Sequence, residues 1–387
     1  MTTRANDMGR CLATFDQDST LTAVVEMGCS SWLSAGLIPG IERQPKKKIE
    51  SNGEDLLRLL GRWRAEAVKA GRPISRIAVS YEAGRDGFWL ARWLENRGIE
   101  THVIHSTSVA VSREKRRPKT DRVDAEMLLR VFLGWLRGER GHCSMVAVPT
   151  IEAEDARRPG RERGALVAER TRIINRMKAN MARLGVHGFK PHLRSAPKKL
   201  GSVRLPEGVA IPPNTMAELE RDMARLAVLR QQIAAIEQTR LERIEAAPDN
   251  GPHAMIRLLA RVLGLGIETA DMLVNEVMTR RLRDRRAVAR YAGITGSPDE
   301  SGKRRREKGL AKAGNARVRR GMIQLAWRWL TFQKESALTL WFKARVEGAP
   351  RLRKTLIVAL SRKLLIALWR MATIGEVLQG VVMRPAA

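Results

Sequence analysis

The chain has 387 residues, with 71 Lys+Arg against 41 Asp+Glu, a formal net charge of +30, and 44% hydrophobic residues. The hydrophobic share suits a chain that buries a core and excludes an acidic or disordered solvating protein. So large a positive surplus repels itself unless it meets a polyanion, which makes nucleic acid the expected partner and a neutral structural enzyme a poor fit.

Residues 21–27 (LTAVVEM) form a β-rich apolar run, followed by a turn-rich connection through residue 53. From Glu54 to Lys69 the spacing of Leu56, Leu59, Leu60 and Trp63 predicts an amphipathic helix. A second buried-type strand over Arg76–Tyr81 ends at Glu82-Ala83-Gly84, a helix runs from Gly87 to Arg97, and THVIH (101–105) is a third strand. This β–α–β–α–β succession predicts a mixed or parallel sheet covered by helices. Beyond the basic run before Pro118, Thr120 is a plausible N-cap, with Asp121 in the first turn of a helix reaching about Trp135. Residues 150–185 read as a long Arg-rich helix, and the Pro- and Gly-punctuated stretch 185–215 as a linker or mobile arm. Residues 216–246 hold apolar residues at helical spacing with interleaved opposite charges, which suits a long helix or coiled-coil hairpin, and equally a helix packed on its own domain. The remainder is helical. Within it RLLARVLGLGIETADMLVNEV (257–277) has the glycines of a helix–hairpin–helix, or of a plain tight turn between packed helices.

Length suggests two or three domains. Cys11, Cys29 and Cys143 lie far apart without CxxC spacing and read as free thiols. The first residues hold no apolar leader, and no long apolar stretch or polybasic amphipathic anchor is evident. A cytoplasmic protein without a membrane partner is expected.

Four carboxylates sit where chemistry can use them. Glu26 ends the first strand and Glu82 the second, so both can project from one sheet edge, while Asp121 and Asp124 share one face of a helix start. Converging carboxylates hold Mg²⁺ through oxygen, as in phosphoryl-transfer enzymes built on ribonuclease-H-like sheets. Taken singly, Asp121 is equally a residue that charges a helix N-terminus, and Glu26 an exposed strand end.

A second dense region is YAGITGSPDESGKRRREKGLAKAGNARVRRGMIQLAW (291–327), a Gly/Ser/Pro loop holding Ser301. It continues through Arg304, Arg305, Arg306 and Lys312 into a helix after Gly314-Asn315 that bears Arg317, Arg319 and Arg320. A serine among arginines can attack a phosphodiester. Composition alone favours a plainer reading, in which Ser301 caps a turn on a phosphate-positioning face.

The segments SYEAGRDGFWLARWLENRGIETHVIH (80–105), KTDRVDAEML (119–128), GLGIETADML (264–273) and RYAGITGSPDESGKRRREKGLAKAGNARVRR (290–320) resemble the insertion-sequence one-ten family of transposases. That family is related to the Piv-type DNA invertases and includes bridge-RNA-guided recombinases, and the likeness spans roughly residues 21–375 by its order of features. The resemblance implies an N-terminal RuvC-like domain with an Asp-Glu-Asp-Asp tetrad and a C-terminal domain with a nucleophilic serine. Glu82, Asp121 and Asp124 match the last three carboxylates, and Ser301 matches the serine. Glu26 stands where the first Asp is expected, a departure by one methylene that still leaves a possible Mg²⁺ ligand. The family's site is composite, carboxylates of one subunit meeting the serine of another in a dimer or tetramer, with a structured noncoding RNA pairing with donor and target DNA.

The sequence is thus read as α/β plus all-α. The expected parts are a RuvC-like domain over 20–150, an Arg-rich helical and coiled-coil connector over 151–250, and a helical serine transposase domain over 251–380. Glu26, Glu82, Asp121 and Asp124 are expected to hold Mg²⁺ and Ser301 to act as nucleophile. Lys119, Arg304, Arg305, Arg306, Lys312, Arg317, Arg319 and Arg320 are expected to hold phosphates, with a solvated basic face as the alternative for any one of them. The rival readings are a RuvC-type Mg²⁺-dependent structure-specific endonuclease in which water attacks, and a non-catalytic nucleic-acid-binding relative.

Overall fold

The computed structural model describes residues 15–84, 87–109, 121–139, 141–301, 304–310 and 313–385, and for residues 107, 121–123, 298–301 and 304–308 it describes the backbone. The chain divides into two compact units, Met1–Thr150 and Ile151–Ala387.

The first unit is built on a six-stranded sheet of β1 (Thr20–Met27), β2 (Ser31–Leu37), β3 (Lys46–Glu50), β4 (Arg76–Glu82), β5 (Glu100–Ile104) and β6 (Met145–Val146), in the order β3-β2-β1-β4-β5-β6. Strands β1, β4 and β5 are parallel to one another, while β2, β3 and β6 join antiparallel. This is a ribonuclease-H-like sheet. Its two faces are sorted by the alternation of side chains along each strand. Leu21, Ala23, Val25, Val79 and Tyr81 pack with helices α1 (Gly53–Lys69) and α2 (Trp89–Glu95) through Leu56, Leu60, Trp63, Leu90 and Leu94. Val24, Ala78 and Ile104 pack on the other face with Ala125, Leu128, Leu129 and Phe132 of α3 (Asp121–Leu136).

The connection expected over residues 28–53 is in fact two strands. Ser31–Leu37 contains Ser31, Ser34 and Gly36, a composition that reads as a turn, yet pairing with β1 supplies the stabilisation that local propensity lacks. Lys46–Glu50 (KKKIE) is an edge strand, where lysines guard against pairing with other chains.

In the second unit α4 (Ile151–Asp155) leads into α5 (Arg158–Arg183), and a connection carrying α6 (Ala196–Leu200) returns the chain into α7 (Pro213–Ala246). The pairs Arg163–Glu237, Arg176–Asp222 and Asn180–Glu218 show that α5 and α7 run antiparallel. The stretch expected to be a linker or mobile arm is instead packed. Ala196, Leu200 and Ile211 are buried with Ile173, Met177, Met181, Leu219 and Met223. Its apolar residues have no helical or strand period, so periodicity cannot reveal that they close the end of a hairpin.

Helices α8 (Gly251–Ala260), α9 (Ile267–Leu273), α10 (Arg285–Tyr291), α11 (Ala316–Phe332), α12 (Ala337–Gly348) and α13 (Arg353–Ile374) complete the unit, with a π-helical turn over Val274–Met278. Ile256, Leu259, Leu273, Val277, Met322, Leu325, Trp329, Leu364 and Leu368 form its main core. Between α10 and α11 lies an antiparallel hairpin, β7 (Gly296–Ser301) and β8 (Arg304–Leu310), in place of the loop expected there. Among the described residues no helix is long and apolar enough to cross a membrane, and Cys29 and Cys143 are free thiols.

Candidate active site

The parallel register of β1 and β4 ends on Val25 opposite Tyr81, so one further step sets Glu26 beside Glu82. Both follow the alternation of Val24 and Ala78, whose side chains face α3. Glu26 is half-buried and Glu82 exposed at the strand end. Asp121 opens α3 and Asp124 follows in its first turn, half-buried, on the helix that covers this same face. The fold therefore sets Glu26 and Glu82 on the sheet face that is covered by α3, the helix on which Asp121 and Asp124 stand. Among the described residues, no three His, Cys, Asp or Glu side chains form a group that would hold a metal ion; the Asp121 side chain is outside that set. The donor set is oxygen alone, which suits Mg²⁺, an ion that binds through one or two carboxylates and completes its shell with water and substrate phosphate.

Ser301 is the last residue of β7 and pairs with Arg304, the first of β8, so it stands at the tip of the hairpin, with Arg305 opposite Glu300 and Arg306 opposite Asp299. A register shift between Gly296 and Pro298 marks a bulge near the base. The base itself is clamped backbone to backbone. Gly293 has φ +65°, and a Cβ there would fall 2.2 Å from the Ala313 carbonyl oxygen. Gly314 has φ +103°, and a Cβ there would fall 2.5 Å from the Tyr291 oxygen. Only glycine permits that approach in that conformation.

Asn315 locks the same junction. Its Oδ1 accepts from the amides of Arg317 (3.0 Å) and Val318 (3.3 Å), capping α11. Its Nδ2 donates to Glu276 (3.0 Å) and to the Tyr291 hydroxyl (3.1 Å). Glu276 is buried on the π turn and accepts from Nε and Nη2 of Arg161, at 3.0 and 3.1 Å. Burial alone would raise the Glu276 pKa, but hydrogen bonds from Arg161 and Asn315 and the charges of Arg161 and Arg157 hold it below the ordinary carboxylate value. Sequence reading missed this set, although an acid inside the apolar run LVNEVM (273–278) is itself a sign of a buried charge that needs partners.

The expected phosphate-holding residues fall into three groups. Arg317 is half-buried with its guanidinium 3.7 Å from Glu268, Arg319 is half-buried, and Arg320 is exposed on α11. Arg304, Arg305 and Arg306 are placed by their backbone on β8. Lys119 and Lys312 lie outside the described residues. At the glycine-rich turn between α8 and α9, Glu268 occupies the first turn of α9 and pairs with Arg163 (3.1 Å) and Arg240 (2.7 Å). Neighbouring Asp271 is raised above the usual carboxylate range by burial, in spite of Arg240 nearby.

A ribonuclease-H-like sheet with acidic residues at matched strand ends, joined to a basic helical unit, defines a DNA-processing enzyme. The chain matches a DEDD transposase model of the IS110 type over residues 41–185, and a model described as "Transposase IS116/IS110/IS902 family" over residues 256–341. Glu82, Asp121 and Asp124 lie in the first span and Ser301 in the second, while Glu26 precedes the first. It is 40% identical over 375 residues, 93% of each chain, to "Putative transposase y4rJ" of Sinorhizobium fredii (strain NBRC 101917 / NGR234). The chain belongs to the IS110 family of transposases.

Proposed function

We propose that this protein cuts and rejoins DNA strands through Ser301, assisted by a divalent ion held by Glu26, Glu82, Asp121 and Asp124. The observation that carries the reading is the placement of Glu26 and Glu82 on adjacent parallel strand ends, on the sheet face covered by the helix of Asp121 and Asp124. In the proposed step the Ser301 oxygen bonds to the phosphorus of a phosphodiester as the bond to the leaving strand oxygen breaks. The hydroxyl proton is lost to solvent, and the leaving oxygen takes one up. Attack by a second strand's hydroxyl on the phosphoserine rejoins DNA and regenerates the serine, so bond energy is conserved without a nucleotide cofactor. Bound Mg²⁺ supplies positive charge at the phosphate and eases ionisation of an attacking oxygen.

The arginines of β8 and α11 hold the phosphates against the serine. Resemblance to the family supports the partners: donor and target DNA, a structured noncoding guide RNA, and a homo-oligomer in which carboxylates of one copy serve the serine of another. Action on DNA supports a location in the bacterial cytoplasm, at the nucleoid.

The test is to incubate the protein with Mg²⁺ and DNA carrying the element's ends, and to isolate a covalent protein–DNA adduct. A phosphoserine mapped to the Ser301 peptide by mass spectrometry, and absent in Ser301→Ala, is the expected result. If Ser301→Ala cleaves at the full rate, water is the nucleophile and the serine mechanism is wrong.

A further inference from the structure

The end of the α5–α7 hairpin carries a concentration of charge that the proposed chemistry does not use. Residues 183–212 contain six Lys or Arg (Arg183, Lys190, Arg194, Lys198, Lys199 and Arg204) against one acid, Glu207. All six are exposed, and among the described residues none is in an ion pair. Along the two helices several arginines are instead paired with acids: Arg161 with Glu276, Arg163 with Glu237, Arg176 with Asp222 and Arg240 with Glu268. Six unpaired like charges in thirty residues repel one another, and that cost is offset when they meet a polyanion and release its counterions.

These cations stand on a folded platform. Ala196, Leu200 and Ile211 are buried against α5 and α7, and Arg230 donates to the Pro191 carbonyl (3.2 Å) across the connection. The ordering cost is therefore met in folding and not at binding. Beside the platform, a cleft lined by Arg170, Thr171, Ile174, His192 and Arg230 offers guanidinium, hydroxyl and imidazole donors, the groups that bind phosphate oxygens. Phe189 is the one Phe, Tyr or Trp in the stretch and packs on the core, so no aromatic surface is offered to unstacked bases.

We propose that this end of the helical hairpin is a preformed, sequence-independent docking surface for the phosphate backbone of duplex DNA, the substrate of a transposase, formed by residues other than those of the proposed chemistry. The inference stands apart from the serine mechanism. The test compares the full-length protein with the quadruple variant Lys190→Ala, Arg194→Ala, Lys198→Ala, Lys199→Ala, using DNA and RNA duplexes of about 30 base pairs and arbitrary sequence over a range of salt. The Kd of the variant is expected to rise about tenfold or more near physiological salt, and the slope of log K against log salt to shrink by about 3–4. The loss is expected on the DNA duplex; a loss confined to the RNA duplex overturns the assignment to DNA.

A control removes the same charge elsewhere, as Arg62→Ala, Arg64→Ala, Lys69→Ala, Arg345→Ala. Unchanged affinity and slope in the quadruple variant, or an equal loss in the control, overturns the proposal. Far-UV circular dichroism checks the fold; if the quadruple variant is unfolded, Lys198→Gln, Lys199→Gln is read instead, with about half the slope change. The covalent adduct at Ser301 is read separately, on the unmodified protein, so failure of the cleavage mechanism and failure of this surface are told apart.

Discussion

Asn315 caps α11 through its oxygen and ties Glu276 and Tyr291 through its amide nitrogen. Asn315→Ala removes both roles and leaves buried Glu276 short of a donor, so a loss of about 1–3 kcal/mol is expected in chemical denaturation. Asn315→Asp keeps the capping oxygen but sets a second carboxylate against Glu276. Its deficit is expected to be largest near neutral pH, where both carboxylates are ionised, and to narrow in acid as one of them takes a proton. Gly314→Ala forces a Cβ toward two carbonyl oxygens at a left-handed φ, and should lower the Tm of the second unit while sparing the first. Of this junction, the Gly314-Asn315 helix start was legible in the sequence. The partners of Asn315 were not, because Glu276 and Tyr291 are 39 and 24 residues away.

Between elements, α5 is held to the π turn by the Arg161–Glu276 pair, nearly all of whose burial is on the acid: the Glu276 side chain is 3% exposed and that of Arg161 48%. Arg161→Met leaves Glu276 buried with Asn315 as its remaining close donor, and a loss on the order of 3 kcal/mol is expected from equilibrium unfolding. The pH dependence follows from the depressed Glu276 pKa. Stability from the pair is complete above the ordinary carboxylate value and is lost as pH falls through the lower folded value, so acid unfolding of the unmodified protein should show it and Glu276→Gln should not. In the first unit Glu100 is the counterpart. Burial opposes its ionisation, but hydrogen bonds from His102 and Arg76 bring it from 4.5 down to about 2. Its contribution is likewise present above 4.5 and fades toward 2, and Glu100→Gln is expected to flatten that acid limb in a Tm-against-pH series. Neither arginine partner follows from spacing along the chain, since Arg161 lies 115 residues from Glu276 and Arg76 lies 24 from Glu100.

At the scale of the whole molecule, every hydrophobic cluster lies within one of the two compact units. A fragment of residues 1–150 is therefore expected to fold alone, giving a cooperative transition in calorimetry; a non-cooperative melt would show that its core is incomplete. The surplus of +30 is not spread evenly, because several arginines of α5 and α7 pair with acids such as buried Glu276 and Asp222, while among the described residues the six cations at the end of the hairpin are in no ion pair.

The sequence by itself determined the polyanion partner, through net charge, and the order of β1, α1, β4, α2 and β5, through periodicity strong enough to survive without context. It also marked the four carboxylates and the serine as candidates, since acids at strand ends and a helix start, and a serine in a basic run, are local patterns. Only the tertiary structure decided that Ser31–Leu37 is a strand, that residues 185–212 are packed, and that Ser301 tips a hairpin clamped at Gly293 and Gly314. The reason is common to all three: a weak local preference is settled by partners far along the chain, through ladder pairing, burial and backbone approach that spacing does not encode.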